Sequence, residues 1–417
     1  MYKVMTPGPT QVKENVRMAR SLVCTNPDLD EDFVEFYKDT CELISSLLGT
    51  KNETLILDGE GILGLEAACA SLTEPGDKVL IIENGVYGEG FADFVSMYGG
   101  VPEFYHADRL NAIDPDALSS YLKEHHDYKY ATVVHCDTPS GMLNPVEKIC
   151  PLLKEYGILT VVDSVSGMFG NHMDVDKFQI DLLCGGSQKA VSAPPGLTFV
   201  TISDAVKNAM HVRKTPIRSF YASLLAFEGY YEKKWFPYTM PISDIYGLRA
   251  AFDNIASDPE LEERTHRIAE AARRALTEAG LKLHLESGFS DTVTVFDIPA
   301  ETTCDAILSR MKKEHNIMLA GSFDDLSGKV IRIGHMGTRR RTVSAQRGRG
   351  PRSHRHLRAV RHRGAHQVDQ RHLCRGQKAG RHPDRTQPCG SLPLPHDRRH
   401  RHQRQPDGVR PRAAQPR

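Results

Sequence analysis

The chain has no CxxC pair, no apolar run long enough to span a bilayer and no internal repeat. Without CxxC spacing there is no metal knot to read, and nine scattered cysteines do not form a disulfide framework. An odd, irregular set in a large chain points to reduced thiols and a cytoplasmic setting. The first residues, Met1-Tyr2-Lys3-Val4-Met5-Thr6-Pro7-Gly8-Pro9, lack the long apolar segment of a signal peptide. No run of about 20 apolar residues is present to cross a membrane. Net charge is missing too, with 53 Lys and Arg against 53 Asp and Glu in 417 residues. That zero hides two unlike parts. Residues 338–417 hold 21 Arg and one Lys against four Asp and no Glu, a sum of +18, which leaves −18 for the rest. The body is therefore an ordinary acidic protein, long enough for two domains with real cores.

The last 80 residues contain no Ile, Phe, Tyr, Trp, Met, Asn or Glu. Such a stretch buries too little apolar surface to offset chain entropy, and disorder is expected over 338–417. A basic arm on an enzyme body could bind nucleic acid. Natural basic arms mix Lys with Arg, however, and here the ratio is 1 to 21. Arg, Pro, His, Gln, Gly and Ala are the residues of GC-rich codons. Their excess reads as a shifted reading frame in a GC-rich gene, and no nucleic-acid partner is expected. The nine tail histidines are irregularly spaced, and no metal site is read anywhere in the chain.

The body alternates strand and helix patterns. Strands are expected at 54–57, 78–82, 101–105, 131–136, 158–162, 182–185 and 197–202, with helices at 64–72, 89–98, from 115 and at 145–156. Asp114-Pro115 supplies an N-cap and a first-turn proline for one of them. This alternation implies an α/β fold, a mostly parallel sheet covered on both faces, with ligands beyond the strands' carboxyl ends. After Pro241 the pattern changes to a helix at 259–279, a strand at 292–298, a helix at 304–315 and a strand at 329–333, a smaller α+β unit. The expected division is an N-terminal segment 1–20, a large domain 21–245, a small domain 246–337 that the tail cuts off, and the tail 338–417.

Two segments carry the strongest chemical signal. Asp163-Ser164-Val165 ends an apolar run, and Ser187-Gln188-Lys189 ends the next. An aspartate at the carboxyl end of one buried strand and a lysine at the next strand-to-loop junction are what pyridoxal phosphate chemistry needs. The amine forms a Schiff base with the aldehyde, and the carboxylate keeps the pyridine nitrogen protonated. For either residue alone the favoured reading is the plainer one, a turn cap for Asp163 and a solvated loop lysine for Lys189, and the rest of the chain reverses it. Asp58-Gly59-Glu60-Gly61-Ile62-Leu63-Gly64 follows a strand and opens a helix, a place where backbone N–H groups can meet an anion. Glu60 is unwelcome beside a phosphate and is expected to point away. Tyr87, in Asn84-Gly85-Val86-Tyr87-Gly88, could stack on a ring or simply fill the core. His135-Cys136-Asp137-Thr138-Pro139-Ser140-Gly141 offers hydroxyls for a ring oxygen or makes a turn, and His135 reads as structural. Arg332, inside the apolar run Val330-Ile331-Arg332-Ile333, needs a partner: a substrate carboxylate or an internal ion pair.

In this order, the Pro7-Gly8-Pro9 start, the 59–66 turn, the 84–88 loop, Asp163-Ser164-Val165, Gly186-Ser187-Gln188-Lys189 with Ala193-Pro194-Pro195-Gly196, and Arg332-Ile333-Gly334 resemble the class V aminotransferases of the alanine–glyoxylate and serine–pyruvate type. The resemblance covers residues 2–337 and implies fold type I, pyridoxal 5'-phosphate as cofactor and a homodimer. It implies roles for Lys189 as the Schiff-base lysine and Asp163 as the partner of the pyridine nitrogen. Tyr87 would stack on the ring and Thr138 would lie near its oxygen. Gly61, Ile62 and Gln188 would contact the phosphate, with Thr239 reaching it across the dimer. Arg332 would bind the substrate carboxylate, with Gly8 beside it. Glu60, Ile62 and Gly90 depart from the family pattern, which has a small residue, Thr or His, and often Arg there. The family also continues past the last strand with a closing helix.

The activity expected is transamination between alanine or serine and glyoxylate or pyruvate. An aminoethylphosphonate donor is a competitor on the same scaffold. A desulfurase-type lyase is a third reading, although Gln188 stands where those enzymes have His. An inactive frame-shifted product is a fourth.

Overall fold

The computed structural model describes residues 2–337, and the expected disordered, frame-shifted tail lies outside the described residues. Seven strands form the central sheet: β1 (Glu53–Asp58), β2 (Lys78–Glu83), β3 (Val101–His106), β4 (Tyr130–Val134), β5 (Leu159–Asp163), β6 (Leu182–Gly186) and β7 (Leu197–Ile202). Their order is β1-β7-β6-β5-β4-β2-β3. β7 runs antiparallel to both neighbours and the other pairs are parallel, so the sheet is mostly parallel, as the alternation predicts. β4 through β7 are buried along nearly their whole length. This is why their sequences are continuous apolar runs and not alternating ones.

Helices cover the sheet: α1 (Glu31–Leu47), α2 (Gly61–Leu72), α3 (Val86–Met97), α4 (Pro115–Leu122), α5 (Val146–Glu155), α6 (Asp204–His211) and α7 (Ile242–Ala256). Asp114 caps α4 by accepting from the Asp116 N–H, and Pro115 takes the first turn as expected. α2 and α3 each begin three residues earlier than their apolar patterns indicate. In α2 the reason is Glu60, whose side chain accepts from the Ile62 N–H and so caps a turn that contains glycine. β4 is shorter than its pattern, and Cys136–Asp137 form a separate short pair with Met142–Leu143.

The pattern reading omits α1, α6 and α7. α1 buries Phe33, Val34, Tyr37, Cys41 and Ile44, one face at helical spacing. The Tyr37 hydroxyl donates to Ile56 O at 2.9 Å and accepts from Ile56 N at 2.8 Å. Ile56 lies on edge strand β1, so one side chain satisfies both outward backbone groups there. The expected 245/246 division falls inside α7.

Past α7 come α8 (Leu261–Glu278), α9 (Cys304–His315) and an antiparallel pair, β8 (Val293–Asp297) with β9 (Val330–Gly334). The N-terminal segment is tied to this part of the chain. Lys3–Val4 pairs with Ile317–Met318, and the Gly334 N–H donates to Met5 O at 2.7 Å. Among the described residues no helix is long and apolar enough to cross a membrane.

Candidate active site

The parallel strands put their carboxyl ends along one edge of the sheet. Loops after β1, β2, β4, β5 and β6 and the N-terminal segment enclose a cavity of about 270 Å³ there. Its lining includes Gly8, Glu60, Tyr87, Asp163, Gln188 and Lys189. The volume lies near the lower end of the roughly 300–1,000 Å³ of small-ligand sites, room for one substituted ring.

Asp163 is the last residue of β5, and its Oδ1 accepts from the Val165 N–H at 2.9 Å. Burial pushes its carboxyl up to about 6, against the pull of that N–H and of the Lys189 charge. Lys189 stands three residues past β6. Burial lowers its amine, and the Arg332 cation adds to the lowering, while Cys136 and Asp163 oppose it.

The N-terminal segment works as a strap over this lysine. Thr10 N donates to Gln188 O at 3.0 Å, and Thr10 Oγ1 to Lys189 O at 2.9 Å. Lys189 Nζ donates to Pro7 O at 3.3 Å. Gly8 has φ +129°, and a Cβ there would collide with the Lys189 side chain. Only glycine fits both the backbone angle and the close approach.

Tyr87 opens α3, and its N–H donates to the Asp137 carboxylate at 3.3 Å. Its ring meets Phe323 edge-on, with centroids 6.0 Å apart. The Arg332 guanidinium lies 5.7 Å from the centre of that same Phe323 ring. Arg332 donates to two backbone oxygens, Gly321 O at 2.6 Å and Thr138 O at 3.4 Å. Among the described residues no carboxylate forms an ion pair with it, so the internal partner that the sequence allows is not found. Burial lowers its guanidinium, with Tyr87 and Asp137 opposing.

Glu60 corrects the sequence reading, because it does not point away. Its Oε1 accepts from Ile62 N at 3.1 Å and its other oxygen from Gln188 Nε2 at 3.0 Å. Gly61 is buried at the start of α2, and Ile62 is exposed beside it. Thr138 is buried and does not line the cavity. Thr239 is exposed, within 3.4 Å of Asp28, and the fold does not bring it to this cavity. Gly90 faces open space on α3. His135 is buried, bonded to Ser164 Oγ at 2.8 Å, and burial lowers it to about 4, so it stays neutral beneath the site.

The fold adds residues to which the sequence reading assigns no role. Cys136, Val165, Ser166 and Leu65 line the cavity, and Phe323 joins Tyr87 to Arg332. Val165 had a signal, since it sits two residues past Asp163. Phe323 had none, as it lies in a loop far along the chain.

The family model for aminotransferase class V matches residues 11–319. An uncharacterised aminotransferase of Methanocaldococcus jannaschii is 34% identical over 80% of this chain and 87% of its own length. A pyridoxamine–pyruvate transaminase of Mesorhizobium japonicum is 32% identical over 74% of this chain and 80% of its own. The crystal structure of the ureidoglycine–glyoxylate aminotransferase of Bacillus subtilis superposes with a TM-score of 0.77 at 30% identity, covering 81% of this chain and 88% of that one.

Proposed function

This chain belongs to the class V aminotransferases, and on that premise we propose that it moves an amino group between a small amino compound and glyoxylate or pyruvate. The observation that carries the proposal is the meeting of Lys189 and Asp163 in one cavity, with a guanidinium nearby that has no carboxylate partner among the described residues. The acceptor half is the better supported, because the names of two relatives pair a donor with pyruvate or glyoxylate. Alanine or serine is the donor that the family resemblance implies. A second reading takes pyridoxamine itself as the donor, as named for the Mesorhizobium relative. Glu60 favours it. Homodimeric assembly, a cytoplasmic setting and division into domains at 21–245 and 246–337 are also part of this proposal.

The fold is that of the pyridoxal 5'-phosphate enzymes, and the site accepts one half of that molecule better than the other. Asp163, Lys189, Tyr87 and Val165 suit the ring and its aldehyde. The phosphate end is a poor fit, since Glu60 holds the Ile62 N–H and the Gln188 amide, and Ile62 brings no hydroxyl. When bound, a pyridoxal ring supplies an electron sink for the carbon that exchanges its amino group.

The chain's own groups do the rest. Lys189 Nζ carries the proton between the two carbons, and its lowered basicity keeps more of the amine neutral and able to accept one. Asp163 holds a proton on the ring nitrogen, a cationic partner that would draw its raised pKa back down. Arg332 holds the 2-oxo acid by its carboxylate and so fixes which face is presented. The strap keeps Lys189 over the cavity through Thr10 and Pro7.

The test is Lys189→Ala. The full chain should gain visible absorbance on addition of a pyridoxal compound and transfer nitrogen to pyruvate or glyoxylate, and the variant should do neither. A folded wild-type chain that stays colourless and inactive with every such compound would end the proposal.

A further inference from the structure

We propose that Glu60 selects for the ring compound without its phosphate, so that pyridoxamine and pyridoxal pass through this site as substrate and product. The inference rests on the aminotransferase reading of Lys189 and Asp163 given above. Ile62 N and Gln188 Nε2 are the donors that a phosphate would need, and the two oxygens of the Glu60 carboxylate already hold them, at 3.1 and 3.0 Å. Lys189 is the one basic residue in the cavity lining, and its amine serves the other end of the ring. A phosphate brings roughly −1.5 to −2 charges. Beside a carboxylate about 5 Å away, each such charge weakens binding roughly fourfold if water screens the pair and about two-hundredfold if it does not.

Gln188 gives a second, independent sign. Glu60 fixes its amide with Nε2 toward the carboxylate, because the flipped amide would set oxygen against oxygen. That leaves Gln188 Oε1 buried without a partner among the described residues. Gln188 is only 7% exposed, so this is an acceptor short of a proton in the wall of the site. A phosphate dianion has no proton to give to Glu60 or to Gln188. The hydroxymethyl group of pyridoxal or pyridoxamine has one, and it carries no charge.

The consequence is exchange. A ring without a phosphate anchor is retained by its covalent link to Lys189, and the amine form has no such link and can leave. The overall reaction balances without any further reactant: pyridoxamine and a 2-oxo acid give pyridoxal and an amino acid. The C–N bond at the ring's 4'-carbon breaks, and that carbon is oxidised from amine to aldehyde. The 2-oxo carbon is reduced, gaining the nitrogen and a C–H bond whose proton travels on Lys189 Nζ. One water is released on condensation and one is consumed on hydrolysis.

The experiment uses the full chain, freed of ligand by dialysis and titrated separately with pyridoxal and pyridoxal 5'-phosphate, with visible absorbance and equilibrium dialysis as readouts. The wild type should bind pyridoxal at least tenfold more tightly than the phosphate. Glu60→Ser, which keeps a capping hydroxyl for α2, should improve phosphate binding at least tenfold. Glu60→Gln, which keeps the size, should move the same way if the serine variant folds poorly. With pyruvate, pyridoxamine should yield free pyridoxal over many turnovers. Wild-type binding of pyridoxal 5'-phosphate that equals or exceeds pyridoxal binding, and depends on Lys189, would overturn the inference and leave the aminotransferase reading intact. If neither compound binds a cooperatively melting chain, both fall.

Discussion

Burial pushes the Asp163 carboxyl up to about 6, from 3.8 in an exposed aspartate. Well below the unfolded value of 3.8 the group is neutral in both the folded and the unfolded chain. As pH rises through 6 the fold must ionise a buried acid, so stability present in acid is lost toward neutrality. Asp163→Asn should therefore stabilise the ligand-free protein at pH 7 by about 1–3 kcal/mol and do little at pH 4, while destroying ring binding. Thermal melts at the two pH values, run beside an absorbance titration, check both halves. An equal gain at both would mean that the burial of Asp163 is not the cause. Arg332 gives the second prediction at this scale. Its guanidinium rests on backbone oxygens and an aromatic face, with no carboxylate partner among the described residues. Arg332→Ala should weaken binding of the 2-oxo acid and of the amino acid formed from it by about 2–5 kcal/mol, and leave ring binding unchanged. Unaltered KM values for the 2-oxo acid would remove Arg332 from the site. Arg332→Lys should recover only part of the loss, since an ammonium cannot form the bidentate pair.

At the scale of elements, the strap of residues 2–11 holds the Lys189 side chain where it enters the cavity. It crosses from the Ile317–Met318 pairing to the loop after β6 and touches Lys189 through Thr10, Pro7 and Gly8. Gly8→Ala forces an L side chain into φ +129° and against Lys189. Ring affinity should fall at least tenfold, with a stability loss of about 1–3 kcal/mol, the range for a strained backbone site. The seven-stranded sheet should stay folded, since its core does not include the strap. Absorbance titration and circular dichroism of the variant separate these effects, and wild-type ring affinity would show that the strap does not position the lysine.

Over the whole molecule, the exposed apolar side chains call for a partner. Met18, Leu22, Val23 and Leu29 come from one segment, with Val23 88% exposed, and Phe220, Tyr221 and Trp235 from another. Thr239 and Asp28 meet at 3.4 Å, which brings the two segments side by side. Large exposed apolar patches mark interaction surfaces, and a second copy of the chain is the occupant that the homodimer proposal requires. Sedimentation velocity should show a dimer, and Val23→Asp combined with Trp235→Asp should shift it to monomer. Ring binding should weaken in the monomer if Thr239 serves the partner's site. A wild-type chain that sediments as a monomer at every concentration would refute the assembly.

The local signals were legible without a structure. Strands β1 to β7, the capped helix α4, the Asp163 and Lys189 junctions and the mostly parallel sheet follow from apolar runs and turn residues within a few positions of one another, because buried parallel strands need continuous apolar sequence. α1 had a readable period as well, with Phe33, Tyr37, Cys41 and Ile44 on one face. Three things were settled only by the tertiary structure, since each depends on segments far apart in the chain. Glu60 meets Gln188 across 128 positions and so faces the site. Thr10 meets Lys189 across 179. Arg332 reaches Thr138 across 194 and meets a backbone oxygen there, not a carboxylate. A sequence names the charges it carries, but whether a carboxylate caps a helix at the mouth of a cavity or turns to solvent depends on which distant donors the folded chain brings within 3 Å of it.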